Sequence, residues 1–294
     1  MFASIDPSGL YFWSFRPLSD PFEEAETSRH MSSGREWNSE AYHRLSRPQF
    51  EWGQKVLDRL PLSGDETVAD AGCGSGKVTA KLLERLPRGR VVAMDLSENM
   101  LQTAREHLEP KFPRKVFFIA ADLEDIPLDG VLDDIFSTAA FHWVPDHERL
   151  FRSLFRSLKP GGWLEAQCGG GRNLARVRQR ATDLMNRPEF TAFFAGWHAP
   201  WQYPDDVTTA ERMRRAGFIE VKTWLEEAPA TLSDAPEYKE FLATVTLHRH
   251  LARISDPAMR EPFLDGLARQ AAADNPPFTL DYWRLNLSGR KPKN

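Results

Sequence analysis

Thr67-Val-Ala-Asp-Ala-Gly-Cys-Gly-Ser-Gly76 decides how the rest of this chain is read. The run predicts a short buried strand over 67–71, a tight turn carrying Gly72, Gly74 and Gly76, and an amphipathic helix opening at Lys77. Val78, Leu82, Leu83 and Leu86 form the apolar stripe of that helix. Glycines at the turn let the backbone bend sharply and let a ligand lie against the main chain. Spacing separates the glycine-loop chemistries. A phosphate-cradling P-loop needs Gly-x-x-x-x-Gly-Lys-Ser/Thr, but here Ala71 stands at the first Gly and Val78 at the hydroxyl. A nicotinamide-dinucleotide turn needs Gly-x-Gly-x-x-Gly, whereas this loop is Gly-x-Gly-x-Gly with Asp70 two residues ahead.

Downstream, apolar runs alternate with helical patterns, which predicts a parallel sheet with crossover helices. A second strand, Arg90 to Met94, closes at Asp95-Leu96, and Ser97 suits the N-cap of the next helix. A carboxylate at that strand end can accept both hydroxyls of a ribose, so Asp95 points to adenosine without choosing the cofactor. A third strand, Val116 to Ala120, leads to Asp122-Leu123. The Asp122 carboxylate can accept an adenine amino group while the Leu123 N–H meets a ring nitrogen. Glu124, Asp125 and Asp129 leave open that these are loop acids. A fourth strand, Asp134 to Ala139, runs into Phe141-His-Trp-Val-Pro-Asp-His147 and a helix through Leu158. Then come the loop Lys159-Pro-Gly-Gly162 and a fifth strand, Trp163 to Gln167.

Asp70-x-Gly-x-Gly-x-Gly76 resembles the first motif of class I S-adenosylmethionine-dependent methyltransferases. The run Phe-His-Trp-Val-Pro-Asp-His, a helix and Leu-Lys-Pro-Gly-Gly resembles the region holding their fourth and fifth strands. Trp37 to about Gln167 is thus similar to one continuous domain of the methyltransferase type 11-like kind, in the trans-aconitate and juvenile hormone acid methyltransferase group. The resemblance implies an α/β, Rossmann-like seven-stranded sheet flanked by helices, with a helical substrate cap. It implies S-adenosyl-L-methionine as cofactor, at Asp70, Gly72, Gly74, Gly76, Asp95, Leu96, Asp122, Leu123 and Ala139. Gln49 and Trp143 fall where juvenile hormone acid methyltransferases resemble this chain in Tyr42-x-x-x-Ser46-x-x-Gln49 and Phe-His-Trp-Val, and there the two donate to a substrate carboxylate. On the residues alone, Gln49 is equally a helix-surface amide and Trp143 an aromatic wedge.

Three parts are expected: an arm over 1–30 without apolar period, a cofactor-binding core over 31–171, and a remainder over 172–294 with cap insertions near 172–203 and 233–273. A helix over Gln49 to Leu60, ending at Pro61, belongs to the core. Helix 206–216, strand 218–225 and a final antiparallel strand 278–288 complete the sheet. The 294 residues carry a formal net charge of -4, which supplies no global basic field for nucleic acid. The local run Arg172, Arg176, Arg178 and Arg180 reads as a solvated helix face. Two cysteines, Cys73 and Cys168, are too few for a disulfide framework and fit a reducing cytoplasm. No apolar run approaches the roughly 20 residues of a membrane span. The expected partner is a small-molecule acceptor, and no His/Cys/Asp spacing resembles a metal site.

Methyl transfer from a sulfonium requires chiefly an acceptor held close and collinear, and an anionic acceptor needs no base. For a hydroxyl or phenol acceptor the candidate bases are His142, His147, His198, His248 and His250, with His142 closest in sequence to the fourth strand. The expected function is O-methylation of a carboxylate or hydroxyl on an apolar or aromatic acceptor. N- or C-methylation on the same fold, or cofactor binding without transfer, stays open.

Overall fold

The computed structural model describes residues 47–293. The arm over 1–30 and the Trp37, Tyr42 and Ser46 positions lie outside the described residues. The centre of the fold is β1 (Thr67–Ala71), buried at all five residues because it has a parallel neighbour on each side and helices on both faces. Around it run β2 (Arg90–Asp95), β3 (Val116–Ala120), β4 (Leu132–Thr138), β5 (Leu158–Gly169), β6 (Ile219–Glu227) and β9 (Trp283–Arg290). They form a seven-stranded sheet in the order β3-β2-β1-β4-β5-β9-β6. Only β9 runs antiparallel to its neighbours β5 and β6. The chain winds one way from β1 to β3 and the other way from β4, so the crevice outside β1 and β4 is the topological switch point where such folds bind ligands.

Helices α1 (Arg47–Leu57), α2 (Lys77–Glu84), α3 (Glu98–Leu108), α4 (His147–Ser157) and α6 (Asp206–Ala216) cover the sheet. Ser97 caps α3 by accepting from the Met100 N–H, and Asp146 caps α4 by accepting from Glu148 and Arg149. The cap is a second apolar cluster built from α5 (Ala175–Met185), α7 (Ala235–Phe241), a π-helical turn (Leu242–Thr246), α8 (His248–Arg253) and α9 (Arg260–Ala271). A ribbon of β7 (Ala230–Thr231) and β8 (Thr279–Leu280) closes it. Among the described residues no helix is long and apolar enough to cross a membrane.

Three boundaries and one helix face differ from the sequence reading. The helix α1 stops at Leu57, because Arg59 and Leu60 donate to Val56 and Leu57 in a tightened terminal turn. Lys159-Pro-Gly-Gly162 lies within β5 and not in a loop, since Leu158 already opposes Leu132 before the register shifts at Asp134. The expected strand 278–288 is broken at Asp281 and Tyr282, whose carbonyls accept from Leu174 and Ala228 and turn the chain from the ribbon into β9. The arginine run is not simply solvated: Arg180 makes a two-pronged pair with Asp274, and Arg176 reaches Asp274 and Asp281. These contacts tie α5 to the end of α9 and to the approach to β9.

Replacing Arg180 with Met should therefore lower stability by about 1 to 3 kcal/mol in urea unfolding, the usual cost of losing hydrogen bonds to a charged group. Unfolding midpoints equal to the parent's would remove the latch role.

Candidate functional site

The glycine loop is held where the two halves of the sheet meet. The N–H groups of Gly72 and Cys73 both donate to the Met94 carbonyl, at 2.8 and 2.9 Å, which ties the loop after β1 to the end of β2. At Gly72 the backbone has φ 84°, and a Cβ there would lie 2.2 Å from the Ala140 Cβ, so no side chain fits between this loop and the one leaving β4. Gly74, at φ 53°, faces open space, and its N–H donates to Asp95 Oδ2 at 2.9 Å. The other Asp95 oxygen accepts from the Ser97 N–H, also at 2.9 Å. Two backbone amides thus fix the carboxylate at the C-terminal edge of β2.

A cavity of about 410 Å³ opens over this edge. Gly72, Gly74, Asp95, Leu96, Asp122, Leu123 and Ala139 line it, seven of the nine positions expected for the cofactor. Asp122 also caps the one-turn 3₁₀ helix Leu123–Asp125 by accepting from the Glu124 N–H, which sets the Leu123 backbone at the rim. Apolar walls come from Leu96, Met100, Leu123 and Val144, and the cap contributes Trp197, His248 and Arg249. Asp70 and Gly76 stand behind the cavity wall. Gly76 packs against Leu108 of α3, where a Cβ would approach within 2.9 Å. Asp70 accepts from Thr79 Oγ1 at 2.7 Å through Oδ2, while Oδ1 has no hydrogen-bond partner among the described residues. Burial pushes the Asp70 carboxyl up to about 7; the Thr79 hydrogen bond opposes this and the Asp95 charge adds to it.

Beside it lies a smaller cavity of about 30 Å³. Ala139 and Trp143 line both. Ala139 leaves β4 in a left-handed conformation, φ 58°, with its N–H bonded to the Gln167 carbonyl. Trp143 follows on a one-turn 3₁₀ helix, its ring 6.0 Å from Trp201 and 5.5 Å from His248 of the cap. The small cavity also receives Gln49 from α1, His142, Thr246 from the π turn, and Arg284 from β9. Gln49 Oε1 and Thr246 Oγ1 are buried and have no partner among the described residues. The structure thus brings Gln49, His142 and Trp143 together.

His142 Nδ1 accepts from the Gly169 N–H at 3.2 Å, which leaves the ring proton of the neutral imidazole on Nε2. Burial, with Arg284 nearby, holds its pKa well below the ordinary value. His147 donates from Nε2 to the Phe141 carbonyl and is pushed down to about 4 by burial. His248 and His250 are likewise pushed down to about 4 by burial, and His198 is exposed. Among the described residues no group of three metal-ligating side chains gathers. The sequence reading missed Arg284 and Thr246. The alternation Arg284, Asn286, Ser288 against Leu285 and Leu287 marked a strand with one polar face, but not what that face borders.

Residues 68–162 match a family model described as a methyltransferase domain. The trans-aconitate 2-methyltransferase of Methylobacterium nodulans is 31% identical over 244 residues, covering 81% of this chain and 85% of that protein. The chain belongs to the class I S-adenosylmethionine-dependent methyltransferases, in the trans-aconitate methyltransferase group. The enzyme of the same name from Variovorax paradoxus is 35% identical over 179 residues, a match spanning 61% of this chain and 62% of that relative. Phosphoethanolamine N-methyltransferase 2 of Haemonchus contortus, solved with S-adenosyl-L-methionine, shares the fold at TM-score 0.56 and 18% identity, over 94% of this chain and 61% of that one. A methyltransferase structure from Bacillus halodurans superposes at TM-score 0.56 and 18% identity, over 82% and 99%. S-Adenosyl-L-methionine is the cofactor of this methyltransferase family, and the cavity fits it. A Gly-lined floor admits close approach, and the Asp95 carboxylate is pre-oriented by two backbone amides.

The raised Asp70 pKa has a sign that can be measured. Folded protein holds a proton there up to about pH 7, whereas an ordinary Asp titrates near 3.8. This contribution to stability is full below about pH 4 and is lost as pH rises to about 7. Urea unfolding of the parent and of Asp70→Asn should therefore give a stability difference that shifts against the parent between those values. A difference constant with pH would show that Asp70 titrates normally.

Proposed function

We propose that this methyltransferase acts on a carboxylate oxygen of a small acceptor with an apolar or aromatic body. The observation that carries the reading is that Ala139 and Trp143 line both the larger cavity and the small polar one, which makes the two adjacent. On this reading Asp95 accepts from the ribose hydroxyls, Gly72 and Gly74 lie against the methionine portion, and Asp122 with the Leu123 N–H meets the adenine. Asp70, buried with one oxygen available, supports the positive amino end. When bound, S-adenosyl-L-methionine supplies a methyl group on a positively charged sulfur, open to in-line displacement.

The chain's own residues then have to hold the acceptor. Gln49 turns its amide to present N–H, and the Trp143 indole adds a second donor, both suited to a carboxylate that only accepts. His142 offers Nε2–H from the same side. An ionised acid needs no proton removed, which agrees with a site whose imidazoles are kept neutral by burial. Positioning of this kind contributes up to roughly 7 to 11 kcal/mol. Relatives named for trans-aconitate, itself a carboxylic acid, support an acid acceptor. The aromatic cap, with Trp197 and Trp143 on the cavity, supports an apolar body.

With the acid that is turned over, the rate of methyl transfer should stay flat from about pH 6 to 9, because a carboxylate is ionised throughout. A rate climbing across this range would favour a hydroxyl acceptor, whose own proton has to leave, since burial holds the imidazoles of His142, His147, His248 and His250 below it. Gln49→Ala and Trp143→Phe should each slow transfer with cofactor affinity nearly kept, and parental turnover in both would sink the carboxylate clamp. Asp95→Ala should weaken cofactor binding by roughly 1 to 3 kcal/mol in calorimetry. Unchanged affinity would displace the ribose from Asp95.

A further inference from the structure

The face of β5 and β9 beneath α1 is polar, unlike the apolar face on its other side. Cross-strand partners there are Glu165 with Ser288, Gln167 with Asn286, and Gly169 with Arg284. They are joined into one ladder. Arg59, in the turn just past α1, donates to Glu165 at 3.1 Å and to Asn286 Oδ1 at 3.1 Å. The Gln167 amide donates to the same Asn286 oxygen at 2.8 Å, and Arg284 Nε donates to Gln167 Oε1 at 3.3 Å. Leu285 and Leu287 alternate with these residues and point into the apolar core. The ladder therefore ends at a guanidinium beside the small cavity.

Two further contacts fix that guanidinium. Its carbon lies 4.5 Å from the Trp52 ring centre and 6.0 Å from that of Tyr282, a cation–π arrangement that holds the plane of the group. Arg284 is 2% exposed, so its charge acts in a medium of low dielectric. Around it the small cavity presents the Gln49 amide, the Thr246 hydroxyl and the imidazole of His142, whose Nδ1 is occupied by the Gly169 N–H. The π turn is what places Thr246, because the Leu247 N–H bonds back to Leu242 at 2.6 Å and rotates the turn by one residue. Cavity volume of about 30 Å³ holds about two water-sized groups, the number of oxygens on a carboxylate.

We infer that Arg284 is the specificity-determining cation of the acceptor site, engaging the carboxylate oxygen that does not attack, so that the site admits the ionised acid and releases the neutral ester. The inference rests on the carboxylate reading above. In the transfer, a lone pair of the free carboxylate oxygen forms the new O–CH₃ bond. The S–CH₃ bond breaks with its electron pair left on sulfur, and no proton moves. The acceptor enters with one negative charge and leaves with none, so its attraction to the Arg284 guanidinium falls in the same step. A charged, forked donor set rejects a ligand that cannot accept at both oxygens far more strongly than an apolar pocket would.

The test uses the full chain saturated with S-adenosylhomocysteine and two small probes, acetate and its neutral isostere acetamide, titrated at matched ionic strength by saturation-transfer NMR. Acetate should bind at least tenfold more tightly than acetamide to the parent. Arg284→Met should erase that preference and Arg284→Lys should keep part of it. Equal binding of the two probes by the parent would overturn the inference without any variant. Unchanged acetate affinity in a folded Arg284→Met would do the same. A radiolabelled methyl-transfer panel of acids and alcohols separates this from failure of the reading it rests on. Turnover of alcohols and of no acid would overturn both. Turnover of an acid with unchanged KM in Arg284→Met would overturn the role of Arg284 alone.

Discussion

The approach of Gly72 to Ala140 is the constraint on which the rest of the site depends. With 2.2 Å between the Ala140 Cβ and the place a Gly72 Cβ would take, the loops leaving β1 and β4 touch backbone to side chain at the switch point of the sheet. That contact closes the crevice from below and makes the floor of the larger cavity a strip of main chain. The same loop carries the Gly72 and Cys73 N–H groups to Met94 and the Gly74 N–H to Asp95. The loop, the end of the second strand and the exit of the fourth are thereby set relative to one another before any ligand arrives. Preorganised amides and a carboxylate of this kind need no rearrangement on binding, which is how a fold turns packing into affinity.

The two cavities differ in electrostatic character. The larger cavity is lined by the half-buried acids Asp95 and Asp122 and by Arg249 and Arg253 of the cap, and desolvation together with the Asp95 charge raises the buried Asp70. In the smaller cavity the formally charged residue is Arg284, and burial, with the field of that guanidinium, keeps His142 neutral. Ala139 and Trp143 line both cavities and so join the two environments.

Local chemistry was the legible part of the sequence. The Asp70-to-Gly76 spacing, Asp95 after an apolar run, and Asp122-Leu123 after the next one each sit at a strand end, and strand ends are set by short-range pattern. Seven of those nine positions meet on one cavity because a doubly wound sheet brings its strand ends to one edge. The small cavity was less legible because its walls come from α1, β9 and a π turn, far apart in sequence. The alternation of Arg284, Asn286 and Ser288 shows which residues share a face, but only the β5–β9 register shows that the face is a hydrogen-bonded ladder ending at a cavity. The arginines of α5 misled for the same reason. Their partner Asp274 is supplied by the far end of the cap.

The central claim is that a methyl donor and a carboxylate held by donors meet beside Ala139 and Trp143. A crystal structure of the chain with S-adenosylhomocysteine and an acid that it methylates tests this most directly. The account predicts the acid's carboxylate beside Ala139 and Trp143, one oxygen directed at the sulfur and the other within hydrogen-bond reach of Arg284. An acid bound with its carboxylate away from the small cavity, or a sulfur placed on the far side of the larger one from Ala139, would contradict it.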